Sequence, residues 1–389
     1  MSHSRRRFLK SLAALPGAAS LPGPADAQAA PRDVYQELGV RPLINAAGTY
    51  TYLSASLMPK AVVEAMESAS RRYVNLGELH AAVGKRISAL LGCEAALVTS
   101  GAASALLLGT AACVAGRDKG RIQRLPDTTG MKNEVILPKA HRNGYDHAVR
   151  AAGVTLVEVE TLADAGRAIG EKTAMLLYFN VHGPEGPISA EEFAALGKKR
   201  GIPSLIDAAA DIPPVENYTR FLKMGYDLAA FSAGKVLRGP QCAGFLLGRK
   251  DLVEAAAANG SPQTDAVGRT NKVGKEEIVG AWTALELFVK ADPALRWQEW
   301  ERRCATIAGH LSGMDGVKAE TFVPAIANAV PHLRVTLPDP AGVVAELRSG
   351  EPRIEIRAST ADGIEIGVFM LEPGEDEIVG RRLRGILKR

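Results

Sequence analysis

Between about residues 95 and 247, short apolar runs alternate with helix-period stretches, and this alternation constrains the fold more than any other feature of the 389-residue chain. Parallel strands need long, usually helical, crossovers, so the pattern reads as a mostly parallel α/β sheet with helices on its faces. Sites in such sheets form beyond the carboxyl ends of the strands. Two runs place chemistry at such ends. The run 202–206 is closed by Asp207, and the run 228–231 leads into Ser232-Ala-Gly-Lys235.

A carboxylate and a lysine at one sheet edge suit pyridoxal phosphate. The lysine forms a Schiff base with the cofactor aldehyde, and the carboxylate keeps the pyridine nitrogen protonated. Taken alone, the pair also reads as a strand-end aspartate and a surface lysine. The segment upstream adds weight. The run 94–99 opens into Ser100-Gly101-Ala102-Ala103-Ser104 and then an Ala/Leu-rich helix to about Ala115. A small-residue turn at a helix N-terminus cradles a phosphate through free N–H groups and the helix dipole. An N-capping serine in a plain βα turn is the alternative.

With these groups in this order the chain resembles the selenocysteine-synthase-like branch of fold-type I pyridoxal phosphate enzymes, which includes seryl-tRNA selenium transferase and D-glucosaminate-6-phosphate ammonia lyase. The matching segments are Leu43-Ile-Asn-Ala-Ala-Gly-Thr49, Tyr73-Val-Asn-Leu-Gly-Glu-Leu79, Val98-Thr-Ser-Gly-Ala-Ala103, Arg142-Asn-Gly-Tyr-Asp-His147, Ser232-Ala-Gly-Lys235 with Gly239-Pro-Gln241, and Lys272-Val-Gly-Lys-Glu-Glu277. They span nearly all of 36–389.

The resemblance implies roles. Lys235 is the Schiff-base lysine and then the base for the Cα proton, and Asp207 partners the pyridine nitrogen. Ala209 presses on one ring face. Ser100, Gly101, Ala102 and Ser232 hold the phosphate. His141, after the run 134–138, stacks on the ring, or is a satisfied loop histidine. Asn180 and His182 reach substrate or cofactor, or shape a turn. Arg238 is a candidate for an anion, Arg269 for the phosphate across a dimer interface, and Arg357 (or Arg353) for a substrate carboxylate, because a bidentate arginine suits that group. A salt-bridge or solvent-facing role is the alternative for each.

Ser4-Arg5-Arg6-Arg7-Phe8-Leu9-Lys10 matches the twin-arginine export pattern, followed by a short apolar stretch and small residues at 25–29 that suit a signal peptidase. The expected location is periplasmic or secreted, with the export machinery as a partner. The stretch is too short to span a bilayer. The first thirty residues carry a net +3, so the formal +4 of the chain leaves about +1 for the rest. That gives no electrostatic case for nucleic acid. With the recognisable core starting near Val34, no tRNA-binding domain is expected ahead of it. Cys93, Cys113, Cys242 and Cys304 lack metal-ligand or disulfide-framework spacing, and no metal is expected. Cys113 reads as a small core residue, and Cys242, which follows the lysine loop, as a packing residue or one that touches the site.

The expected layout is a signal peptide over 1–30, an arm over 31–60, a cofactor-binding large domain over 61–285 and a small α+β domain over 286–389. Helices are expected at 60–72, 78–91, 340–348 and 375–387, and two more within 275–314 on either side of Pro293. C-terminal strands are expected at 330–337, 353–357 and 363–369, and a loop at 126–131 near the site mouth. A homodimer or higher homo-oligomer acting on a small amino substrate follows from the resemblance. The expected reaction is α,β-elimination on an amino acid or amino-sugar acid after Cα deprotonation, with aminotransferase and racemase chemistry as alternatives. A racemase would need a second acid–base group, for which His182 or Tyr145 are candidates. Selenium transfer and a catalytically inactive exported binding protein are further alternatives.

Overall fold

The computed structural model describes residues 33–388. The expected twin-arginine pattern and signal-peptidase sites lie outside them. The chain divides into two compact units, Met1–Pro42 and Leu43–Arg389. In the first, Asp33 caps the short helix Val34–Glu37 by accepting from the backbone N–H groups of Tyr35 and Gln36. Everything that follows concerns the second.

Its first strand, β1 (Leu43–Ala46), pairs in parallel with β11 (Arg353–Ile356). Residues 43–46 were expected in an N-terminal arm. They form a separate two-stranded sheet with β11 instead, because Leu-Ile-Asn-Ala buries alternate side chains against a partner more than 300 residues away.

The central sheet comprises β2 (Ala95–Thr99), β3 (Glu134–Pro138), β4 (Thr155–Val159), β5 (Thr173–Phe179), β6 (Ser204–Asp207), β7 (Leu228–Ser232) and β8 (Gly244–Gly248), in the order β2-β8-β7-β6-β5-β3-β4. β3 to β7 run parallel, while β8 is antiparallel to both β7 and β2. Every residue of β5 is buried, as a strand covered on both faces requires. The helix Gly101–Ala115 is apolar all round and almost wholly buried between the sheet and its neighbours. Gly109 lets it approach closely, since a Cβ there would lie 2.4 Å from a methyl of Leu205.

The C-terminal layer is a four-stranded sheet of β9 (Lys318–Phe322), β10 (His332–Thr336), β12 (Ala358–Ser359) and β13 (Gly363–Gly367), in the order β12-β13-β10-β9. Two helices, Lys275–Lys290 and Pro293–Leu311, bridge the layers. They break where Asp292 caps the second helix and Pro293 fills its first position.

The loop 126–131 does not lie near the site mouth. Thr128 Oγ1 donates to Gly153 O (2.9 Å) and Asn133 Nδ2 donates to Thr128 Oγ1 (3.1 Å), just before β4 and β3 begin. These contacts fix the loop at the amino ends of the strands, opposite the carboxyl edge.

Candidate active site

The parallel register brings the expected groups to one edge. Phe179, the last residue of β5, stands opposite Asp207, and Asp207 stands opposite Ala230 of β7. Beyond β7 the chain must reverse to form the antiparallel β8. Lys235 sits in that reversing connection, beside the end of β6.

Asp207 Oδ1 accepts from the Ala209 backbone N–H at 2.9 Å, which fixes the carboxylate and the Ala209 backbone together. Burial pushes the Asp207 carboxyl up to about 6, against the pull of the Ala209 N–H and of Lys235. Burial lowers the Lys235 ammonium, opposed by Asp207 and Asp211. Both side chains keep some exposure to the cleft. The lysine is therefore more readily deprotonated than a free one, and the acid lacks a full counter-charge.

The cradle forms where β2 meets its helix. Ser100 is the N-cap of Gly101–Ala115 and makes no side-chain capping bond, so its hydroxyl and the first-turn N–H groups remain available to a ligand. Gly101 adopts φ +77°, a turn conformation natural to glycine. Gly244 faces both Thr99 and Ser232 in the register. A Cβ at Gly244 would stand 2.5 Å from the Gly101 carbonyl carbon and 2.7 Å from the Ala102 nitrogen. Ser100, Gly101, Ala102 and Ser232 thus converge around a floor that only glycine permits.

His141 ends a single turn, Lys139–His141, directly after β3 and is fully buried. Its Nδ1 accepts from the Phe179 backbone N–H at 3.3 Å, while its buried Nε2 has no partner. The ring meets Tyr178 edge-on at 4.3 Å between centroids. Burial, helped by nearby His182, pushes its pKa down to about 4. The result is a neutral ring with one unused N–H, closed off from solvent.

Asn180 follows Phe179 at the same edge and lines one cavity with Asp211 and Ala327. His182 Nδ1 lies 2.9 Å from Glu185 Oε1, and its ring centroid is 6.2 Å from that of His141. The arginines fall differently. Arg238 donates to Leu57 O and to Glu372 Oε1, each at 2.6 Å, with a left-handed φ of +58°. Arg357 is paired with Glu365, which also takes Arg334, and Arg353 is paired with Glu355. Each is committed to a glutamate, so none stands ready as a free anion clamp. Arg269 and Tyr145 are exposed. Cys242 is exposed rather than packed in the core, because its loop lies beside Ser100 and Lys272 at a surface cavity of about 440 Å³. Cys113 is only partly covered.

Three contributors were not singled out from the sequence. Phe179 acts through its backbone, and no side-chain signal marks it. Gly244 is one glycine among 39. Asp211 was visible as the second acid of Leu205-Ile-Asp-Ala-Ala-Ala-Asp211, a spacing that could have drawn attention.

This set fits pyridoxal phosphate: a cradle whose floor excludes any Cβ, a buried carboxyl short of counter-charge, a desolvated lysine and a flat buried ring with an orphaned nitrogen. The comparisons agree. The model of the L-seryl-tRNA selenium transferase family matches residues 43–296. The chain is 32% identical to a 5'-C-glycyluridine monooxygenase-decarboxylase from Streptomyces sp, over 91% of this chain and 92% of that one. It is 30% identical to D-glucosaminate-6-phosphate ammonia lyase from Salmonella typhimurium, over 91% and 98% respectively. A solved D-glucosaminate-6-phosphate ammonia lyase structure superposes with a TM-score of 0.80 at 28% identity, covering 92% of this chain and 99% of that one. Serine palmitoyltransferase from Sphingomonas wittichii shares the fold, with a TM-score of 0.57 at 14% identity over 88% of this chain and 87% of that one. The chain belongs to the L-seryl-tRNA selenium transferase family of pyridoxal phosphate-dependent enzymes.

Proposed function

We propose that this enzyme is a lyase that removes the Cα proton of an amino acid or amino-sugar acid and expels a substituent from the neighbouring carbon. The observation that carries the reading is the convergence of Lys235, Asp207 and His141 on one sheet edge beside the Ser100 cradle. The likeness to an ammonia lyase over nearly the whole of both chains favours elimination.

Bound pyridoxal phosphate supplies an electron sink for the pair left when the Cα–H bond breaks. Lys235 would hold the cofactor through its aldehyde, and burial, which lowers its pKa, would favour Nζ as the base for the Cα proton. Asp207 would hold the pyridine nitrogen, because a cation there would restore the carboxylate charge that burial disfavours. His141 supplies a flat neutral face, and Ser100, Gly101, Ala102 and Ser232 fix the phosphate end. A second reading, epimerisation, is favoured by one contact: the His182–Glu185 pair beside His141 would serve as a second acid–base group.

Loaded protein incubated in heavy water with amino acids and amino-sugar acids, without any keto acid, separates these readings by proton NMR. A keto acid appearing as the amine disappears supports the lyase. Cα exchange without elimination defeats it. Lys235→Ala should keep the fold and lose both the Schiff base and turnover.

The pattern at residues 4–10 supports twin-arginine export of the folded enzyme, tested by cell fractionation of an Arg5→Lys/Arg6→Lys double variant. The exposed Tyr50, Tyr52, Leu57 and Tyr73 support a homo-oligomer, tested by light scattering.

A further inference from the structure

Asp211 ends the segment that begins at Asp207 and is 6% exposed. Its Oδ1 accepts from the Ala327 backbone N–H at 3.3 Å, and Asn180 lines the same cavity of about 450 Å³ as Asp211 and Ala327. Its own carbonyl accepts from Asn217 Nδ2 at 2.6 Å, and the neighbouring Ala210 carbonyl accepts from the Asn328 N–H at 2.6 Å. Ala327 and Asn328 are consecutive non-glycine residues with φ +55° and +50°. Such residues persist only where the surroundings over-determine them. Asp211 and Ala210 supply that hold. They fasten the loop between β9 and β10 to the edge that carries Asn180 and Asp207.

The charged groups facing this carboxylate are Lys235 from the connection after β7, Arg220 from the helix Asn217–Met224 and Asp207 from β6. Lys235 follows β7, whose Ala230 stands opposite Asp207, so it shares that sheet edge with Asp207 and Asp211, which oppose the lowering of its pKa by burial. On the cofactor reading, which this inference rests on, the pyridine nitrogen claims Asp207. Burial raises the Asp211 carboxyl against the pull of Lys235 and Arg220, so a cation held at Lys235 favours its ionised form. We propose that Asp211 is a positioning residue of the cofactor site: it fastens the 325–329 loop and serves as the counter-charge that keeps the Lys235 Schiff base protonated.

Two variants separate the charge from the tether. Asp211→Asn keeps an oxygen for the Ala327 N–H but removes the charge. Asp211→Ala removes both. In the loaded full chain, the visible band of the Schiff base is titrated with pH. Asp211→Asn should lower its pKa by about one unit, a tenfold loss of proton affinity. It should also reduce kcat more than it changes KM, and Asp211→Glu should partly restore the titration. A curve superimposable on that of the parent chain overturns the counter-charge role.

Hydrogen exchange in the unloaded protein reads the tether without the cofactor. Asp211→Ala should speed exchange at Ala327 and Asn328 at least tenfold, with Asp211→Asn close to the parent. Unchanged protection in Asp211→Ala overturns the tether. If the parent chain shows no visible band, the cofactor reading fails and the counter-charge role falls with it, while exchange still decides the loop's attachment.

Discussion

Phe179 donates its backbone N–H to Nδ1 of His141 at 3.3 Å, and the same residue stands opposite Asp207 across the sheet. One strand end therefore sets both the His141 ring and the neighbour of the acid. The bond also fixes the tautomer, because an accepting Nδ1 leaves the proton on Nε2.

That tautomer predicts a titration. With its pKa pushed down to about 4, His141 stays neutral across the working range. The same holds for His332, which burial also pushes down to about 4 and whose Nδ1 lies 2.7 Å from the Val330 carbonyl. Both folded values lie below the unfolded one of 6.5. Their contribution to stability is therefore complete above pH 6.5 and is lost as pH falls toward 4. Each is worth on the order of 2 kcal/mol across that window. Denaturant titrations from pH 7 to pH 4 should steepen accordingly, and His332→Gln should remove about one proton from the slope. Ring ¹⁵N shifts showing a charged His141 at pH 6 would rule the assignment out.

Asp207 carries the opposite sign. Its folded pKa of about 6 lies above the 3.8 of a free aspartate, so ionisation costs stability above pH 6 and costs nothing below about 4. Asp207→Asn keeps an oxygen for the Ala209 N–H and removes the charge. In the unloaded protein it should raise stability at pH 8 by about 1–2 kcal/mol, with no gain at pH 4. In the loaded enzyme it should cut kcat by about 10³-fold or more, since a neutral amide cannot keep the pyridine nitrogen protonated. A variant that is less stable at pH 8 would mean that the carboxylate is not strained by burial.

Gly244 and Gly101 should respond differently to the same methyl group. At Gly244 an added Cβ meets backbone at 2.5–2.7 Å, and backbone cannot rotate away. Gly244→Ala should weaken cofactor binding at least about tenfold and cost about 2–3 kcal/mol through the forced shift. At Gly101 there is open space, and only the φ of +77° resists, worth about 1–2 kcal/mol. Equal losses of cofactor affinity in the two variants would show that the cradle does not depend on the close approach of β8.

These glycines mark where the sequence stops being legible. The sheet, the cradle and the Asp207–Lys235 pair were readable because apolar runs, small-residue turns and strand-end polar residues are local patterns. The run 134–138 and the helix 375–387 match the structure at both ends. β1 and β9 were not read as strands. β1 is stabilised by a partner strand distant in sequence, and β9 alternates exposed and partly buried residues too weakly to register. The arginines misled for a related reason. A guanidinium at a promising position says nothing of the glutamate that folding brings to it, and Glu365 and Glu372 come from other segments.

Arg238 offers the sharpest test of that last point. It lies three residues past Lys235, which suggested an anion-binding role. Its guanidinium instead links the Leu57 carbonyl to Glu372 across the mouth of the lysine loop. Both partners of the ion pair are about one-third exposed, so the pair itself is worth no more than about 1 kcal/mol. Arg238→Met should therefore lower stability by about 1 kcal/mol, with the bond to Leu57 O included. It should leave KM for an anionic substrate within about threefold of the parent, because no ligand contact is lost. Glu372→Gln would free the arginine without removing it, and should likewise leave KM nearly unchanged. A rise in KM of about 100-fold in Arg238→Met, roughly 2.7 kcal/mol, would instead mean that the arginine leaves Glu372 to take the substrate's anion.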